Sequence, residues 1–185
     1  MTTFHAIKFS SLDPDTLIQD PTPALALPQR VLLAWLTQLA SRTTSAALKM
    51  AASNNAQFYD AVGTAAAILR GQAQLRSLSA AVYFLPRDYH VNGDVCAGPS
   101  DALEQARHFM VSNAVNSVYA LSRAQAAPSA SAISEILFCA RHNITAELCG
   151  SAQISQHSSQ LKDNFLAASA QIKELLIEQL ELFQD

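Results

Sequence analysis

Charge is scarce in this sequence. Asp, Glu, Lys and Arg together make up 15% of its 185 residues, against 50% apolar residues, where globular chains carry about 25% charge. Disorder is excluded, because chains that stay unfolded combine low hydrophobicity with high net charge. The thin polar surface also implies that part of it is covered by another subunit. Net charge is −3, so there is no basic field to neutralise a phosphate backbone, and nucleic acid is excluded as a partner. The balance is uneven: residues 1–92 carry +2 and residues 93–185 carry −5, an asymmetry that could help helices of the two halves choose each other.

Cysteine is nearly absent too. Cys96, Cys139 and Cys149 are odd in number and form no C-x-x-C pair, which argues against a disulfide framework and a structural zinc site. No long apolar run exists. The most apolar window, Val31–Leu36, is closed by Arg30, Thr37 and Gln38, far short of the ~20 residues needed to span a bilayer. The start, Met1 to Phe9, lacks the charged region and apolar run of a secretion signal. Together these features predict a cytoplasmic protein with no membrane contact.

Several catalytic signatures are missing. There is no G-x-x-x-x-G-K-[ST] or G-x-G-x-x-G phosphate cradle and no G-x-S-x-G elbow. No Glu precedes a His at the Glu-x-x-His spacing of di-iron bundles. No histidine follows Arg87, Arg107 or Arg141 at the spacing of an all-α ribonuclease site. No cofactor is therefore assigned, and catalysis is the less favoured reading.

What the chain does have is helical periodicity. Residues 4–9 form a short irregular arm. Asp13 and Pro14 then mark an N-cap and first helical position, and the helix is short because Asp20-Pro-Thr-Pro23 follows. From Pro28, the residues Val31, Leu32, Trp35, Leu36, Leu39, Ala46 and Met50 recur at three- and four-residue intervals, predicting a long helix that ends near Asn55. The segment Ala56–Leu85 is also helical in composition. Within it Gly63, Ala67 and Gly71 share one stripe, which implies either a close helix approach or a break at Gly71. A further helix starts at a capping-box-like Asp101–Glu104, buries Leu103, Met110, Ala114, Val118 and Leu121, and stops before Pro128. The next runs from about Ser131 to Cys149, burying Ile133, Ile136, Leu137, Ala140, Ile144 and Leu148, with Gly150 as its stop. The last runs from about Ser158 to Phe183. The expected fold is all-α: one domain over 1–185, with an N-terminal arm and short helix in 1–27 and an antiparallel bundle of five to six helices in 28–185.

Two regions carry candidate function. The last helix places Leu161, Phe165, Ala168, Ile172, Leu175, Gln179 and Leu182 in steps of four and three, the a/d spacing of a coiled coil. Leu161, Phe165, Ile172, Leu175 and Leu182 are the candidate protein interface, although any core helix packing within its own chain shows such spacing. The stretch 86–100 breaks the helical pattern and gathers Arg87, Asp88, Tyr89, His90, Asp94 and Cys96; loops of this length are often functional. Arg87, Asp88, His90 and Asp94 are its candidate ligand-binding residues, with no metal assigned. On the fifth long helix, Glu135, Cys139 and His142 align at i, i+4 and i+7 as a conceivable nucleophile set, on the side expected to face solvent. His108 is expected on a solvated stripe with Gln105, Ser112, Asn116, Tyr119 and Arg123. The favoured reading is a non-enzymatic helical protein that binds another protein or a second copy of itself, as adaptors, regulators or immunity proteins do. The alternative is a small helical enzyme or a ligand- or metal-binding protein with its site at 86–100.

Overall fold

A computed structural model describes residues 8–9, 11–52, 55–83, 99–150 and 158–183, and among them every regular element is a helix. Two short helices, α1 (Pro14–Gln19) and α2 (Thr22–Leu25), precede α3 (Gln29–Met50), α4 (Ala56–Leu69), α5 (Leu75–Tyr83), α6 (Pro99–Ala126), α7 (Ala130–Cys149) and α8 (Ser158–Leu182). No described helix is long and apolar enough to cross a membrane.

The helix ends follow local chemistry. Asp13 caps α1: its carboxylate accepts from the Thr16 backbone N–H at 3.2 Å and the Thr16 hydroxyl at 3.0 Å, satisfying donors that the first turn leaves open. Asn55 caps α4 and Ser129 caps α7 in the same way. Helix α6 starts at Pro99, two residues before the expected cap, so Asp101 lies inside the first turn; a proline there has no N–H to leave unpaired. The stretch expected as one helix from Ala56 to Leu85 is two. Gly71 takes a φ of +71° and turns the chain between α4 and α5, a conformation that costs residues with a Cβ. A Cβ built at Gly63 meets nothing within 4 Å, so no neighbouring backbone approaches there, and the break is the correct reading of that stripe.

Helix α3 is the central element, packing on α4, α6, α7 and α8. Its buried side chains, from Val31 and Trp35 through Leu39 to Ala47, face two apolar clusters. One cluster joins the first half of α3 to α1, α2, α7, α8 and the end of α6; the other joins its second half to α4, α5 and the middle of α6. Polar groups bind these layers. The buried Trp35 Nε1 donates to the Ile172 carbonyl of α8 at 3.1 Å. Asn143 of α7 donates from Nδ2 to the carbonyls of Thr43 (3.0 Å) and Met110 (2.9 Å), while its Oδ1 accepts from Asn113 at 3.0 Å. Arg42 and Lys49 of α3 both reach Glu147 of α7. Burial alone would raise the Glu147 carboxyl, but the hydrogen bonds and charges of Arg42 and Lys49 outweigh it and hold the group below its usual value.

Helix α7 departs from its expected two-sided pattern. It touches α1, α2, α3, α6 and α8, so the buried arc widens to take in Cys139 and Asn143, while Leu148, expected in the core, is exposed. His108 is likewise buried, not solvated: α4 packs across that side of α6, and the imidazole meets the Phe58 ring at 5.7 Å in an edge-on contact. Gln105, Asn116 and Arg123 from the same stripe are exposed.

Candidate functional site

The α8 seam is divided by the fold. Ala168, Ile172 and Gln179 are buried, Phe165 and Leu175 are half-buried, and Leu161 and Leu182 are 52% and 69% exposed. The buried line itself advances in fours, through Ala168, Ile172, Leu176 and Leu180. A straight α-helix drifts about 20° per heptad against a 3.5-residue repeat, which moves Leu176 and Leu180 inward and Leu175 and Leu182 toward the edge. Most of the seam is therefore spent inside its own chain, with only the two ends left outside.

The four candidates of the 86–100 stretch, Arg87, Asp88, His90 and Asp94, lie outside the described residues, as do Tyr89 and Cys96. The Glu135, Cys139 and His142 set does not assemble. Glu135 is paired with Arg123. Cys139 is buried, and burial together with the nearby Glu135 charge pushes its thiol up to about 12, which leaves no thiolate near neutral pH. Instead of facing that thiol, His142 packs against two rings, Phe109 at 5.1 Å and Phe138 at 4.8 Å. The imidazole remains on the exposed surface, but desolvation against these rings and the adjacent Arg141 charge hold it below the usual histidine value. No group of three or more His, Cys, Asp or Glu placed to hold a metal occurs among the described residues.

The structure instead forms a cavity of about 350 Å³ between α6, α7 and α8. Helix α6 supplies Ala106, Phe109 and Met110, α8 supplies Leu161 and Phe165, and α7 supplies His142, Asn143, Thr145, Ala146 and Cys149. Its walls are held from behind. The Arg141 guanidinium stacks 4.2 Å over the Phe165 ring and is anchored at 2.7 Å to Asp15 of α1, which also accepts from the Ser169 hydroxyl at 3.0 Å. Cys149 accepts through Sγ from Asn164 at 3.2 Å. Around the mouth, Phe109 and Phe138 are 39% and 37% exposed. A second, shallower recess of about 250 Å³ lies between α3 and α4 and is lined by Ser41, Thr44, Leu48 and Arg70 among others.

Of the sequence candidates, Leu161 and Phe165 reach the main cavity; Ile172 and Leu175 belong to the core, and Leu182 stands apart at the far end of α8. Phe109, Met110, Thr145 and Cys149 were not anticipated. Phe109 and Phe138 carried one signal, being large apolar residues placed off the main buried stripes of α6 and α7.

No protein-family model, curated protein or solved structure matches the chain.

Proposed function

We propose that this chain is a non-enzymatic, cytoplasmic protein-interaction module that pairs with a second copy of itself across the α6–α7–α8 face. The carrying observation is the group of large apolar side chains left in water around one opening: Phe109 and Phe138 on either side of His142, with Leu161 across from them. Aromatic residues that stay exposed in this way concentrate binding energy when a partner covers them. A charged share of only 15% favours a second copy as the cover, since a surface this short of charge is better matched to an apolar counterpart than to a salt-bridged one. The three-residue link between α6 and α7 favours an antiparallel arrangement of these helices, within the bundle expected from the sequence. The α8 ends, Leu161 and Leu182, are the part of the heptad seam still free to contribute.

Light scattering on the purified chain across the micromolar range tests this reading. A dimer is expected for the natural sequence and a monomer of unchanged helicity for the double variant Phe109→Asp, Phe138→Asp. A monomer at about 100 μM, where a Kd any weaker corresponds to less than ~5.5 kcal/mol of association, or a double variant that still dimerises would sink it. The alternative, an enzyme or a ligand- or metal-binding protein using Arg87, Asp88, His90 and Asp94, rests on the sequence pattern alone.

A further inference from the structure

We propose that the cavity between α6, α7 and α8 is a binding site for a small, uncharged aromatic molecule. The inference goes beyond the pairing proposed above by naming an occupant for the interior of the cavity behind that face.

Size is the first argument. Protein interiors are close-packed, with few voids larger than a water molecule, and an engineered apolar cavity of about 150 Å³ already binds benzene. The present space, about 350 Å³, falls at the lower end of the ~300–1,000 Å³ range of small-molecule sites. One or two fused or linked rings would occupy it.

The donor and acceptor inventory decides the ligand's charge. Asn143 has no proton to offer: both its amide protons are given to the Thr43 and Met110 carbonyls, and its oxygen already accepts from Asn113. The Thr145 hydroxyl proton is given to the Arg141 carbonyl at 2.7 Å. The Arg141 guanidinium, against the Phe165 wall, is committed to Asp15 and to the face of that ring. Among the described lining residues the polar group most open to a ligand is His142, an exposed side chain whose imidazole is biased toward its neutral form by desolvation against the Phe109 and Phe138 rings and by Arg141. A charged ligand would lose its hydration and gain no countercharge from the described lining residues, whereas a neutral one loses little.

The walls decide its shape. Phe109, Phe165 and the His142 ring offer aromatic edges and faces, and the Met110 thioether adds a polarisable contact. Flat π-systems suit such walls, with one polar substituent at most, directed to His142.

The full chain titrated with N-phenyl-1-naphthylamine, an uncharged dye that brightens in apolar surroundings, provides the test. With [¹³C]methyl-methionine labelling, saturable binding of one dye per chain is expected, accompanied by movement of the Met110 methyl resonance, with Met50, which packs against the same core cluster but does not line the cavity, moving less. Filling the space by Ala106→Phe or Ala146→Leu should weaken the dye by about tenfold or more, equivalent to ~1.4 kcal/mol. The anionic relative 8-anilinonaphthalene-1-sulfonate should bind about tenfold more weakly than the uncharged dye. Binding that does not saturate, a stationary Met110 methyl, or equal affinity for the sulfonate overturns the proposal. The methyl readout on the natural sequence stands even where a filled variant does not fold. Because light scattering of the natural sequence reports on pairing and its Met110 methyl on the cavity, each proposal can fail without the other.

Discussion

Asn143 is fully buried and uses its whole side-chain amide to tie α7 to α3 and α6. Replacing it by leucine keeps the volume but strands the Asn113 amide in an interior site. Asn143→Leu is expected to cost about 1–3 kcal/mol, read as a lower urea midpoint with an unchanged m-value. His142 sets a pH response. Its folded-state pKa lies below the unfolded value of about 6.5, so the unfolded chain binds more protons between those two values. The contribution of the neutral imidazole is thus fully present above pH ~6.5 and lost as pH falls through the folded value. Thermal midpoints measured from pH 8 to pH 5 should fall more steeply for the natural chain than for His142→Gln, and parallel slopes would refute the assignment. Neither role was legible in the sequence. On a single helical wheel Asn143 sits at the edge of the apolar stripe and Cys139 on the side expected to face solvent, and only the number of helices packed around α7 makes both interior.

Helices show the same division between local and distant causes. The glycines of the α4–α5 region differ in kind. Gly63 is inside a helix with open space around its missing Cβ, whereas Gly71 holds a positive φ. Gly63→Ala should therefore stabilise by about 0.5–1 kcal/mol through lower unfolded-state entropy. Gly71→Ala should destabilise by about 1 kcal/mol. Denaturant midpoints that move the same way in both variants would contradict this account. Caps and stops such as Asp13, Pro14, Ser129 and Gly150 involve neighbours a few residues away, which is why most helix boundaries could be read directly. The α8 register could not: a repeat of fours and threes fits a supercoiled seam and a straight core helix equally well, and the packing of α3 and α7 selects the second.

At the scale of the whole molecule, pairing through the Phe109–Phe138–Leu161 face would link stability to concentration. Mass action stabilises a folded state that binds its own copy, so the thermal midpoint of the natural chain should rise as its concentration is raised tenfold from the low micromolar range. The midpoint of Phe109→Asp, Phe138→Asp should stay level over the same range; a flat response in both would remove the association from the account. The Arg42 and Lys49 contacts to Glu147 and the Arg141 contact to Asp15 join distant segments, and none of these pairings follows from charge spacing along the chain.

By itself the sequence determined that the chain is helical and where most helices start and stop, because periodicity, caps and turn residues act over a few positions. The tertiary structure alone decided that the α8 seam is largely consumed in the core, that Cys139 and His108 are buried, and that a cavity opens beside His142. Those outcomes depend on which helices meet. The scarcity of charge that marked the sequence from the outset has a location in the fold: an opening between three consecutive helices, lined by Phe109 and Leu161 with Phe138 beside His142 at its edge, and with no charged side chain among its described lining residues.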